Sequence, residues 1–285
     1  MNCKYKYGLI HNMSSEKEFN DICSVLNWLK SMKLTFCCNK DFGGGFDVLD
    51  YKEVIKNSDI YIVFGGDGSI LKIARDSILF DRRILGVNLG KLGFLADTNL
   101  VNLRSSIQKI ENEDFFIEKR IMLTASFGGK YYSALNDIVI DKGASSRLIK
   151  IDVKVNNKYL TTYTSDGLII STPTGSTAYN LSASGPIMEP GVRGMIINPI
   201  SPHALAMRPV IVSDLSELSI EASSENGKMV ISADGQENSE IDSYELITVK
   251  KSDHFASFIK FHNSDYYKIL REKLGWGGFK KRYVK

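Results

Sequence analysis

Residues 60–74, Ile-Tyr-Ile-Val-Phe-Gly-Gly-Asp-Gly-Ser-Ile-Leu-Lys-Ile-Ala, constrain the fold more than any other stretch of this chain. The run from Asp59 to Phe64 is short, β-branched and apolar, the pattern of a strand buried on both faces. After the glycines the period becomes helical, with a helix starting near Ser69, and "RILGVNLG" (83–90) reads as the next strand. Strand, glycine turn, helix, strand is the βαβ order of a parallel, doubly wound sheet. Upstream, Phe19, Ile22, Leu26 and Leu29 recur at spacings of three and four, a helix with one buried stripe. Ser15 and Glu18 have the spacing of a capping box before it.

The glycine loop also carries chemistry. A buried strand ending in Gly65-Gly66 and leading into a helix aims backbone N–H groups and the helix dipole at one point, which suits phosphate. Gly65, Gly66 and Gly68 let phosphate approach without a Cβ in the way. A carboxylate in that loop, Asp67, would repel phosphate unless it faces a proton-bearing group or a metal. The competing reading is structural, with Asp67 capping the helix. Neither GxxxxGK[ST] nor GxGxxG occurs, so the chain is not a P-loop nucleotidase or a standard dinucleotide-binding fingerprint. Gly86, Gly90 and Gly93 read at least as readily as shapers of a strand-to-helix turn as contacts to a ligand.

From about residue 115 the pattern changes. Ile149, Ile151, Val153 and Val155 alternate with polar residues and turn at Asn156-Asn157. Further short strands are expected at "YYSALNDIVI", "DGLIIST", "LSIEAS", "KMVISAD" and "ELITVKKS". The expected fold class is an α/β domain over residues 1–100, followed by a mainly antiparallel, β-sandwich-like domain over 101–250. Residues 251–285, helical and then basic, are expected to return to the first domain.

In the β-rich half, "TSDGLIISTPTGSTAYNLSASGPI" (164–187) runs a strand into Pro173-Thr174-Gly175, with Ser176 or Thr177 expected to cap a short helix. Its hydroxyl density suits ribose and phosphate, or a solvated turn. Asn136-Asp137, just before an apolar strand, could read a nucleoside or form an Asx turn. Asp234-Gly235 reads as a turn, and His203, flanked by prolines at 202 and 209, as structural. No HExxH motif or Cys/His metal cluster is present.

Taken together, "GGDGS" (65–69), "LGFLAD" (92–97), "ND" (136–137), "DGLIISTPTGSTAYNLSASGPI" (166–187), "SPH" with "RP" (201–209), "ADGQ" (233–236) and "KLGWG" (273–277) resemble NAD kinases in order and spacing. The resemblance implies ATP-dependent phosphorylation of the adenosine-ribose 2′-hydroxyl of NAD, giving NADP, with a divalent metal, magnesium, held mainly through ATP phosphates. It implies a homodimer or homotetramer with NAD sites near subunit contacts. By position, Asp67 matches the general base and Gly68 its neighbour at the ligand, and Lys72, about a turn further on, a basic NAD contact. Asn136 and Asp137 match the nucleoside-binding pair. Arg147, Thr164 and Asp166 match further contacts. Thr177, Ala178, Tyr179, Asn180, Leu181 and Ser182 match the segment that cradles the dinucleotide, and Gln236 the late glutamine. Two positions depart: many members carry Asn-Glu at 136–137, and a basic residue is common at 164.

Rival readings are a lipid kinase sharing the glycine loop and a non-catalytic dinucleotide sensor. A net charge of +3 is too mild to argue for nucleic acid and suits an anionic small ligand. The N-terminus lacks an apolar leader pattern, no apolar run reaches a membrane span, and Cys3, Cys23, Cys37 and Cys38 have no paired spacing. The expectation is a cytoplasmic protein with free thiols and no membrane partner.

Overall fold

A computed structural model describes residues 4–11, 16–39, 47–90, 93–225, 228–262 and 264–276, with side chains of 16–19 left aside. The Ser15–Glu18 capping spacing, the side chain of Phe19, Cys3, Leu92 and the basic tail from residue 277 lie outside this description. The chain forms two compact units, Met1–Lys119 with Ser257–Lys285, and Arg120–Ala256. The sequence pattern places the change near residues 100 and 250. The units part later because the helix Leu103–Glu111 buries Leu103, Ile107 and Ile110 in the first core, and Ile259 and Phe261 join them there.

In the first unit, parallel strands lie in the order Thr35–Cys38, Lys6–His11, Ile60–Phe64, Arg83–Asn88. Ser257 and Phe258 then pair in parallel with Arg83 and Ile84. Every residue of Ile60–Phe64 is buried, as its uninterrupted apolar pattern requires. The winding reverses between the first and third strands of the sequence. The glycine loop leaves the carboxyl end of Ile60–Phe64 beside that reversal, where open α/β sheets bind ligands. The helix Asp67–Asp76 buries Ile70, Leu71, Ile73 and Ala74. It packs closely at Gly86, where a Cβ would lie 2.5 Å from the Ile70 Cδ1 and 2.9 Å from the Ala96 Cα.

The second unit is a sandwich of antiparallel strands. One sheet orders Val210–Ser213, Gly194–Ile200, Gly167–Ser171, Asp137–Asp141, Met229–Ala233 and Glu237–Ile241. The other orders Lys158–Ser165, Ile149–Val155, Glu217–Ser223 and the Leu246–Val249 region of a longer strand. Ile138, Ile140, Leu168, Ile170 and Ile197 from one sheet meet Ile149, Ile151, Val153, Leu218 and Ile220 from the other in one core. The 149–165 hairpin turns at Asn156 and Asn157, both at positive φ (50° and 64°), the twist that a two-residue hairpin loop needs.

A buried ion pair ties the returning segment into the first unit. Lys260 Nζ donates to Asp97 Oδ1 at 3.0 Å, and Asp97 also accepts from the Phe261 N–H (3.0 Å) and the Ser264 hydroxyl. Both charged side chains are under a tenth exposed. Removing one partner strands the other charge away from water, which costs about 3–5 kcal/mol. Lys260→Met is therefore expected to lower the denaturation midpoint strongly, and adding Asp97→Asn to restore part of the loss. An unchanged midpoint in Lys260→Met contradicts this role.

Candidate active site

The glycine loop is built on one conformational demand and one open approach. Gly65 has φ +149°, a region that side chains rarely adopt. Gly66 is the helix N-cap, and the space a Cβ would occupy there is empty. The helix starts at Asp67, two residues before the expected Ser69, and no side chain caps it. Asp67 is thus not a helix cap. Its carboxylate turns to a distant loop instead: Oδ2 accepts from the Phe94 N–H at 3.0 Å, and Oδ1 from the Leu95 N–H at 3.2 Å. Each oxygen keeps lone-pair capacity for another donor, and the residue is only partly buried.

Lys72 is exposed, with Nζ 5.2 Å from the centroid of the Tyr51 ring. Five residues beyond Asp67, it lies about 140° around the helix. The structure places it with Tyr51, not beside the carboxylate.

In the second unit, Asp234 organises the Asn136-Asp137 pair. Its carboxylate accepts from the backbone N–H groups of Leu135 (3.1 Å), Asn136 (2.7 Å) and Asp137 (3.2 Å). Positive φ at Asp234 and Gly235 makes the turn that aims it. The Asn136 backbone is thus held at its N–H by Asp234. Its carbonyl accepts from the Thr172 N–H at 2.9 Å. Gly175 presses on the same carbonyl, which a Cβ would approach to 2.1 Å. Asn136, Asp137, Ala178 and Tyr179 line one cleft of about 300 Å³ with Asp141 and Asp234. Burial, and then the charge of Asp234, lift the Asp137 carboxyl to about 7.

Many polar groups of residues 172–188 are spent inside the loop itself. Neither Ser176 nor Thr177 caps the short helix Tyr179–Ser182, whose N-cap is Ala178. The Ser176 hydroxyl donates to the Pro173 carbonyl (2.6 Å) and accepts from the Met188 N–H (3.0 Å), and the Thr177 hydroxyl donates to the Thr174 carbonyl. Asn180 is fully buried. Its amide donates to the carbonyls of Ser176 and Pro186 and accepts from Asn198, while Gly185 leaves room for it. Asn180 thus holds the loop together from within.

Tyr179 is half-exposed and lines both that cleft and a second of about 650 Å³, which Ser182 and Arg208 also line. Burial raises its phenol, and the charges of Asp141, Asp137 and Asp166 add to this, so it stays a neutral hydroxyl. Leu181 is partly buried. Arg147, Thr164, Asp166 and Gln236 line neither cleft. Asp166 pairs with Lys142 (2.5 Å), Arg147 with Glu225 (2.8 Å), the Thr164 carbonyl with the His203 N–H, and the Gln236 N–H with the Ala233 carbonyl. Sequence reasoning read Asp234 as a turn former and Gly93 as a turn former or a ligand contact, and missed that each acts on a distant segment, Gly93 at the Asp67 carboxylate and Asp234 at residues 135–137. Among the described residues, no group of three or more His, Cys, Asp or Glu side chains is arranged to hold a metal ion, and no helix is long and apolar enough to cross a membrane.

The Asp137 environment has a pH signature. The unfolded carboxyl ionises near 3.8 and the folded one near 7. The folded state therefore holds the extra proton between those values. That contribution to stability is complete below pH 3.8 and is lost as pH rises through 7, by roughly 4 kcal/mol. Asp137→Asn, always neutral, is expected to gain on the wild type in thermal unfolding from pH 4 to 7 and to hold its lead above. Parallel profiles across that window would rule the buried carboxyl out as their cause.

Comparison with known proteins identifies the family and the fold. Residues 8–115 match the ATP-NAD kinase N-terminal domain, and residues 135–261 the ATP-NAD kinase C-terminal domain. The NAD kinase of Syntrophotalea carbinolica is 41% identical over 262 residues, 89% of this chain and 92% of that protein. The NAD kinase of Caldanaerobacter subterraneus subsp. tengcongensis is 41% identical over 278 residues, covering 94% and 98%. In fold, the chain is similar to a yeast NADH kinase solved with NADH, with a TM-score of 0.87 at 23% identity over 100% of this chain and 94% of that one. It is also similar to an Archaeoglobus fulgidus NAD kinase solved with ATP, with a TM-score of 0.76 at 24% identity over 95% and 98%. With both halves matched and relatives two-fifths identical over most of its length, the chain belongs to the ATP-NAD kinase family.

Proposed function

We propose that this chain transfers the γ-phosphoryl group of ATP to the 2′-hydroxyl of the adenosine ribose of NAD, giving NADP and ADP. Family membership supports the reaction, and one observation carries the assignment of the base. The Asp67 carboxylate, in a glycine loop at a helix N-terminus, is held by two backbone N–H groups and does not cap its helix. In this reading the 2′-oxygen attacks the γ-phosphorus, the bond to the β–γ bridging oxygen breaks, and the 2′-proton passes to Asp67. Phosphoryl transfer asks the protein mainly for positioning and charge placement. Gly66 leaves the backbone open to phosphate, and Gly65 and Gly68 are assigned to the phosphate loop by the sequence pattern; Asn136, Asp137, Ala178, Tyr179 and Ser182 line clefts suited to the dinucleotide. Thr177, Asn180 and Leu181 shape the segment that presents them. Lys72, Arg147, Thr164, Asp166 and Gln236 are assigned to the dinucleotide by family position.

Magnesium fits this donor set as an ion carried mainly by ATP. Such a site needs only one or two protein carboxylates beside phosphate oxygens, and Asp67 keeps oxygen lone pairs for that purpose. When bound, the ion neutralises phosphate charge. A lipid kinase with the same loop is disfavoured by the family match across both halves. We also propose a cytoplasmic homodimer or homotetramer that uses no nucleic acid or membrane partner.

Asp67→Asn keeps size and hydrogen bonding but cannot take the proton. We expect kcat to fall by about 10²–10⁴-fold with NAD affinity retained, the mark of an interaction made in the transition state. Titrating magnesium should not restore the rate, as it would if Asp67 only held metal. Turnover within a few-fold of wild type sinks the base assignment. For the assembly, light scattering is expected to give at least twice the 31.9 kDa chain mass. A fully active monomer at micromolar concentration contradicts it.

A further inference from the structure

We infer that Gly93 is a positioning residue for phosphoryl transfer: its bare Cα, with the two N–H groups that follow it, forms a seat for the Asp67 carboxylate that any side chain would block. The inference rests on the reading of Asp67 as the base. Gly93 is buried, and its φ lies outside the left-handed region. Alanine could therefore adopt its backbone without strain, and the demand for glycine here is a demand for space. A Cβ at Gly93 would lie 2.1 Å from Asp67 Oδ1, 2.7 Å from Cγ and 2.9 Å from Oδ2, so it would strike the whole carboxyl group.

One side of that collision must yield. The loop is tied down just beyond Gly93. The Asp97 N–H donates to the Gly86 carbonyl at 3.2 Å, and the Ala96 Cα packs against Gly86. The Asp97 carboxylate is locked by Lys260, the Phe261 N–H and Ser264. Asp67, by contrast, is a side chain with two rotatable bonds. It is the part that moves, and moving gives up its bonds to Phe94 and Leu95. Gly93 thus acts on the reaction through where it lets the carboxylate stand, without touching the substrate.

The test is a pair of double-mutant cycles. Gly93→Ala is expected to lower kcat roughly ten- to hundredfold, the scale of a base displaced by about an ångström, with KM for NAD and ATP within about threefold. In an Asp67→Asn background, where no base remains to misplace, adding Gly93→Ala should change kcat by less than about threefold. A Gly93→Ala variant with normal kcat, or with the same fold-loss in both backgrounds, overturns the inference. The second cycle reads stability. Gly93→Ala should lower Tm by several degrees in the wild type and by much less in an Asp67→Ala background, where the struck carboxylate is gone. Equal losses in both overturn the seat. If Gly93→Ala alone does not fold, recovery of a folded protein on adding Asp67→Ala supports the inference, and no recovery overturns it. A normal kcat in Asp67→Asn alone removes the base reading, and with it the positioning role, while the Tm cycle still reports whether the seat exists.

Discussion

The carboxylate of Asp67 sits where the first turn of a helix, a glycine loop and a second loop 27 residues away all meet, held by the Phe94 and Leu95 N–H groups. Much of the chemistry open to the first unit depends on those two bonds. A helix N-terminus attracts any anion, including a carboxylate of its own. Had Asp67 folded back to cap its helix, it would have occupied the donors that phosphate requires. Two amides from elsewhere turn it away, and the space beside Gly66 stays open. A carboxylate in a loop suited to phosphate is then no contradiction, because the protein has given it a separate place.

The second unit applies the same principle on a larger scale. Polar side chains that would suit a ligand are first used to hold backbone in place. Asp234 fixes three consecutive N–H groups, Thr172 and Gly175 pin Asn136, and Asn180 with Asn198 closes the 176–188 loop. Buried polar groups with satisfied partners specify one arrangement where an apolar core of similar volume could slide. Asn136, Asp137, Ala178, Tyr179 and Ser182 are among the residues left lining the two clefts.

Local patterns carried the parts of this structure that depend on near neighbours. The all-apolar strand 60–64, the helix after it and the hairpin at Asn156-Asn157 follow from residues within a few positions of one another. The contacts that define the site do not. Asp67 was legible as an unusual carboxylate, yet its partners lie 27 and 28 residues on, and Asp234 grips a segment 97 to 99 residues away. Ser176 and Thr177 had the chemistry of helix caps, but nearby carbonyls claimed their hydroxyls. The unit boundary escaped for a similar reason, since the helix Leu103–Glu111 carries an ordinary amphipathic pattern that does not say which core it joins.

The central claim is that one phosphoryl group moves from ATP to the ribose of NAD. It is tested most directly by incubating the chain with magnesium, NAD and ATP labelled in the γ-phosphate, and locating the label. The account predicts label in NADP, as a 2′-phosphate on the adenosine ribose, in equal amount to the ADP formed. Label recovered only as inorganic phosphate, or NAD bound without any ADP formed, would contradict it.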